Sequence, residues 1–223
     1  MSVSSEVQIY NLALNAIGSR DNISLPTEES REAEVCRLWY PLIRDQLLAA
    51  AAWPEATKFR AMSLLAEAED EWATGAPRPG YTYVYTLPSD LLRPQYLTDF
   101  SHFLITGYDD NQKALHTNTS GAILAYTMRL TNISLWSAEL QMAVVYGLAA
   151  HICMPLSGKP SRAKMLVQDA NNLLYMARES AANASTERHE AVPDWIAARG
   201  YNFSASTRYV YPYGSLLSIS NVN

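Results

Sequence analysis

The sequence predicts a mainly helical α+β fold: a helical bundle carrying a small antiparallel β-insert and an extended C-terminal arm. Three observations predict it. Apolar residues recur at helical spacing in the first fifty residues and again from residue 137 to about 185. Between about residues 77 and 131 the texture changes to Pro/Gly-punctuated runs such as YTYVYTLP, FLITGYDDNQKAL and AILAYTMRLT, which read as strands and a hairpin. Residues 209–223 (YVYPYGSLLSISNVN) contain no charged side chain and carry Tyr209, Tyr211 and Tyr213 at spacing two, which an extended chain places on one face.

The first helix spans residues 4–18. Val7, Tyr10, Leu14 and Ile17 form one apolar stripe, Ser4 or Ser5 caps the start, and Gly18 suits a left-handed C-terminal residue. After the loop SRDNISLP, Thr27 is the expected cap of a second helix, with Glu28 and Glu29 opposing the macrodipole of its first turn. That helix runs to about Ala52, and Pro41 should kink it or split it after Trp39. Residues 55–76 fit either a helix or a strand followed by a loop. The β-insert follows at about 77–131, with a hairpin turn near residues 107–112. From Ser137, Leu140, Val144, Leu148 and Ile152 step along one helix face, while Ala143, Gly147 and Ala150 offer a small-residue face for close packing. Pro155, Gly158 and Pro160 break the pattern. Ser161 is the expected cap of a last long helix, and a short segment at 192–199 closes the helical part. The domain organisation is therefore a helical unit at 1–199, with its β-insert, and an arm at 200–223.

Composition narrows the function. The chain has 223 residues, 48% hydrophobic and 17% charged, with formal net charge -5. Its 17 basic residues are scattered, so no basic stripe for gripping nucleic-acid phosphates is present. Cys36 and Cys153 lie far apart inside helical patterns and read as buried, reduced thiols. The opening MSVSSEVQIY does not resemble a signal peptide, no run is expected to span a membrane, and a cytoplasmic site of synthesis is expected. The Asn-x-Ser triplets at Asn22, Asn118, Asn132, Asn183 and Asn202 then carry no glycan.

Catalytic signatures are missing from the sequence: there is no phosphate-binding glycine loop, no nucleophile elbow and no zinc-ligand spacing. His102, His116, His151 and His189 are dispersed; His102 and His116 flank the hairpin, and His151 reads as a satisfied, half-buried helix residue. The Asp109-Asp110-Asn111 run lacks the later Gly and Glu of a calcium loop and reads as a tight turn. Glu67, Glu69, Asp70 and Glu71 are better read as a solvated face than as an acid/base pair for glycoside cleavage. The expectation is a protein with no cofactor, no metal and no enzymatic activity.

The order of segments resembles a known family. An opening LALNAIGSR is followed by AEVCRLWYPLIRDQLLAAAAW, then YTYVYTLPSDLLRP, FLITGYDDNQKAL and finally LWSAELQMAVVYGLAAHICMPLSGKPSRAKMLVQDANNLLYMARE. Together, over about residues 6–185, these are similar to the head-to-tail adaptors of short-tailed bacteriophages, the tail tubular protein A group. The continuation after Trp53, Pro54-Glu55-Ala56-Thr57, departs from that pattern.

The resemblance implies a structural virion protein of the phage neck: a ring of twelve copies beneath the portal protein, holding the tail nozzle protein on its other side. DNA would pass through the central channel without specific binding, helped by the acidic net charge. Tyr209, Tyr211, Tyr213, Leu216, Leu217 and Ile219 are the expected portal-binding anchors, and the hairpin tip Tyr108, Asp109, Asp110, Asn111, Gln112 and Lys113 the expected nozzle contact. The tail residues read equally well as an edge strand folded back on the chain. Two other classes stand beside the adaptor: a head-completion connector of long-tailed phages, and a tail-associated cell-wall hydrolase built on the acidic cluster.

Overall fold

Ser5 accepts a hydrogen bond from the Gln8 backbone and starts helix α1, Glu6–Ile17, which stops at Gly18 in the left-handed region (φ 81°). The structure, a computed structural model, describes residues 4–68, 79–108 and 112–184. Helix α2, Arg31–Ala50, is capped by Ser30, whose side chain accepts from the Ala33 N–H. Thr27 is not the cap, because residues 25–28 close a turn of their own through Glu28 N–H to the Leu25 carbonyl, and the Glu28 carboxylate accepts from Ser24. Pro41 does not split α2. It lies on the solvent face, where water can satisfy the carbonyl that proline leaves unbonded one turn back.

The expected mainly helical fold with a small insert is incorrect. The described residues form four α-helices and seven antiparallel strands in two sheets, an α+β fold in which the sheets have a core of their own. The difference lies chiefly in residues 57–67. These form β1 (Thr57–Ala61) and β2 (Ser63–Glu67), so the β-region opens some twenty residues before the expected boundary at 77. Then follow β3 (Tyr83–Thr86), β4 (Leu91–Leu97), β5 (Phe103–Gly107), β6 (Lys113–Thr117) and β7 (Ile123–Met128). One sheet has the order β1-β7-β4 and the other β2-β3-β6-β5. Leu97, Leu124 and Tyr126 of the first meet Tyr85 and Leu115 of the second in one apolar cluster, so each sheet buries one face against the other.

The helical core is built around α3, Ala138–Ser157, capped by Ser137 and ended by Gly158 at φ 63°. Helices α1, α2 and α4 all pack on it. Pro155 falls in its last turn and does not stop it. An 18-residue window of α3 is long and apolar enough to cross a membrane (mean hydropathy 1.4), contrary to the expectation from sequence, but 61% of it is buried inside the bundle. That burial is what the central helix of a bundle shows. Helix α4, Pro160–Ala184, follows after Gly158 and Lys159 and returns along α3; Ser161 lies in its first turn and not at the cap. Its Ala163, Leu166, Ala177 and Ala181 enter the same core as Leu14, Trp53 and Trp136.

A small set of polar links fixes the bundle to the sheets. Buried Arg44 of α2 pairs with Asp45 at 2.7 Å, and Asp45 in turn binds Arg129, just past β7, at 2.8 Å. Trp53 donates its indole N–H to the Leu47 carbonyl at 3.0 Å, folding the chain sharply from α2 into β1. Cys36 and Cys153 are buried free thiols, and burial, followed by the charge of Glu32, pushes the Cys36 thiol up to about 12.

Candidate functional site

The expected nozzle contact sits on a real hairpin. Strands β5 and β6 pair from Phe103 with Thr117 to Gly107 with Lys113, and the Tyr108 N–H donates to the Gln112 carbonyl at 2.9 Å. Tyr108 and Lys113 are exposed at the tip, and Gln112 is half-buried. Asp109, Asp110 and Asn111 lie outside the described residues, as do all six expected portal anchors, Tyr209, Tyr211, Tyr213, Leu216, Leu217 and Ile219. The segment at 192–199 and His189 fall outside them as well.

Among the described residues, those weighed for chemistry are not brought together. Among the described residues no three His, Cys, Asp or Glu side chains are grouped as a metal site. His116 is buried in β6 and hydrogen-bonds Thr106 at 3.0 Å, whereas His102 contributes its backbone carbonyl to the Thr117 hydroxyl. His151 is exposed instead of half-buried. Its Nδ1 meets the Gly147 carbonyl at 2.9 Å and its ring lies 5.1 Å from that of Trp39. Glu67 ends β2 on the surface, and Glu69, Asp70 and Glu71 lie outside the described residues. A shallow cavity of about 150 Å³ lies between residues 60–63 and 86–89, well short of the several hundred Å³ of a typical small-molecule site.

What the surface does offer is apolar area. On α2, Leu38 and Leu42 are 65% and 60% exposed and, with Pro41 between them, line one outward stripe. On α4, Met165, Tyr175 and Met176 project into solvent. Helices α2 and α4 both pack on α3 and have no extensive contact with each other, so the two apolar areas lie on different, non-adjoining helices.

A third area was not foreseen from sequence. On the outer face of the β1-β7-β4 sheet, Phe59 of β1 and Tyr96 of β4 flank Ala125 of β7, their rings 6.4 Å apart edge to face. Tyr96 stacks on Phe100 at 5.4 Å, nearly parallel, and Ile123 is exposed beside them. Only the alternation of Thr57 and Phe59 with Lys58 and Arg60 marked β1 in the sequence, and four residues of alternation do not separate a strand from an exposed helix turn.

Two carboxylates of the β-region are satisfied by hydrogen bonds. Burial works to raise the carboxyl of Asp90, but hydrogen bonds from Lys58 (3.1 Å) and Tyr126 (2.9 Å) hold it below its usual range. Asp99 is also lowered: burial opposes this, and bonds from the Ser101 and Thr119 hydroxyls prevail.

The chain matches no protein-family model and no curated protein. What the described residues offer is a set of large exposed apolar side chains on α2, α4 and the β1-β7-β4 sheet.

Proposed function

We propose that this protein is a structural virion component, a head-to-tail adaptor that joins its copies into a ring between a portal above and a nozzle below. One observation supports the reading: large exposed apolar side chains on both α2 and α4, helices that pack on α3 without extensive contact with each other. A protomer with two unlike sticky faces associates head to tail, and head-to-tail association closes into a ring when the rotation per copy permits. The resemblance of residues 6–185 to phage adaptors supplies the rest: a twelve-fold ring, a portal gripped by Tyr209, Tyr211, Tyr213, Leu216, Leu217 and Ile219, and a nozzle met by the Tyr108–Lys113 tip. The net charge of -5 suits a channel that DNA traverses without sticking.

The test is co-sedimentation with portal rings from the same virus, comparing the full chain with one ending at Gly200. Binding by the full chain that disappears on truncation supports the adaptor. A folded full chain that does not bind portal removes this reading, and a wall-degradation assay would then take its place.

A further inference from the structure

Among the described residues the two sheets have four edge strands, β1 and β4 in one and β2 and β5 in the other. Natural sheets blunt their edges with bulges, prolines, charges or cover, because an open edge invites another strand. Three edges here follow that rule. Strand β4 contains Pro94 and has two register shifts, β2 has one shift between Leu64 and Ala66, and β5 is half-buried along nearly its whole length. Strand β1 has only its two charges, Lys58 and Arg60. Its five residues pair with β7 in unbroken register, and four of the five are exposed, including Phe59 at 57%. The two cations in β1 are turned away to the other face, where Lys58 binds Asp90 and Arg60 hydrogen-bonds Tyr126.

The direction of the open backbone groups follows from one hydrogen bond. Met62 donates to the Ala122 carbonyl at 2.9 Å, continuing the β1–β7 register by one residue. Bonding alternates along an antiparallel pair, so Lys58 and Arg60 turn their backbone to β7. Phe59 and Ala61 turn theirs to the open edge. An incoming strand must supply matching groups at alternate residues, with its side chains beside Phe59 on the aromatic face.

Residues 209–213, YVYPY, satisfy each of these requirements. They carry no charge, and three tyrosines at spacing two fall on one face. Pro212 has no N–H, which tolerates only a position facing away from the partner strand. That leaves Tyr211 and its alternate neighbours Tyr209 and Tyr213 to face β1. The chain also departs from the right place. The Ser137 N–H at the start of α3 is bonded to Glu55, two residues before β1, and α4 returns along α3 toward that end. The 24 residues from 185 to 208 span at most roughly 80 Å.

We propose that residues 209–213 add to the open edge of β1 within the same chain, with Tyr211 beside Phe59, so that the aromatic row runs Tyr211, Phe59, Tyr96, Phe100. This goes beyond the adaptor reading and does not depend on it; in an adaptor, the same segment would exchange this seat for the portal.

The experiment uses the full chain without portal. A Phe59→Cys, Tyr211→Cys pair, with Cys36 and Cys153 left as buried thiols, is oxidised in dilute solution and peptide-mapped, beside a Phe59→Cys, Val210→Cys pair whose second position faces the opposite side. A disulfide within one chain in the first pair, severalfold above the second, supports the proposal. Equal yields, no disulfide, or a disulfide only between copies overturns it. Hydrogen exchange provides a second reading without cysteines: the amides of Phe59 and Ala61 should exchange about tenfold faster in Tyr211→Pro than in the unaltered chain, and equal rates overturn the proposal.

Discussion

Ser137 donates its backbone N–H to the Glu55 carboxylate at 3.2 Å, tying the cap of α3 to the turn that opens β1. The contact joins two positions 82 residues apart, and it puts a negative charge at the positive end of the central helix. Glu55→Ala removes both the acceptor and the charge and should cost about 1 kcal/mol, or roughly 2–4 °C in Tm for a chain of this size. Glu55→Gln keeps an acceptor and should lose only part of this. Thermal melts at low and high salt check the point: the Glu55→Ala deficit should shrink as salt screens the dipole term.

Gly147 sets the spacing of α2 and α3. A Cβ there would stand 3.1 Å from Ile43 Cγ2 and 3.3 Å from Leu47 Cδ1, so even alanine requires both side chains to give slightly. Helix propensity favours alanine over glycine by about 1 kcal/mol, which offsets that crowding and leaves Gly147→Ala close to neutral. Gly147→Val adds branching into the same contact and should destabilise by about 1–3 kcal/mol. Urea midpoints for the two variants test this, and a Gly147→Val variant as stable as Gly147→Ala would show that the helices do not meet as closely as these distances.

Asp90 and Asp99 make the β-region acid-sensitive. Both carboxyls titrate below their ordinary value of 3.8 in the folded chain. A lowered carboxyl contributes stability that is fully present above its unfolded value and is lost as pH falls through the folded one. Stability should therefore hold from pH 7 to about 5 and decline below about pH 4. Asp99→Asn keeps an acceptor for Thr119 and Ser101 but cannot titrate, so its stability should start lower at pH 7 and fall less steeply in acid. Urea midpoints between pH 2 and pH 7 give both slopes; parallel slopes would remove Asp99 from the account.

The helices were legible because their signals are redundant. Ser5, Gly18, Ser137 and Gly158 each stand at a terminus next to a stripe several turns long, and the structure uses all four as caps. The start of α2 was misplaced because Thr27 and Ser30 are both acceptable caps. The choice between them is made by the Leu25–Glu28 turn, a local hydrogen bond that no periodicity reports. The two sheets were underestimated for a different reason. Strands β1 and β2 are edge strands, and their outward residues (Lys58, Phe59, Arg60, Leu64, Leu65) do not show the apolar alternation that burial imposes on β3 and β7. The aromatic row was invisible for the same reason, since Phe59, Tyr96 and Phe100 become neighbours only through the pairing of β1 and β4 on either side of β7. Of the segments expected to make contacts, the hairpin was readable from its turn, whereas the tyrosine segment lies outside the described residues.

Phe100 is the most constrained residue of that row. Its φ of 58° lies in the left-handed region, the only such value outside glycine among the described residues, and bulky side chains rarely adopt it. The surroundings hold it there: the Phe100 N–H donates to the Leu97 carbonyl at 2.8 Å, and Asp99 anchors the turn through Ser101 and Thr119. Against the backbone cost of about 1–2 kcal/mol stands the stack on Tyr96, where an aromatic pair is worth about 0.5–1.5 kcal/mol. The two terms separate by substitution. Phe100→Gly loses the stack but also the strain, and should be nearly neutral. Phe100→Ala loses the stack and keeps the strain, and should be destabilised by about 1 kcal/mol relative to Phe100→Gly. Chemical denaturation of the three proteins decides it: if alanine and glycine are equally stable, the turn relaxes when the ring is removed, and the stack on Tyr96 is what imposes the left-handed backbone.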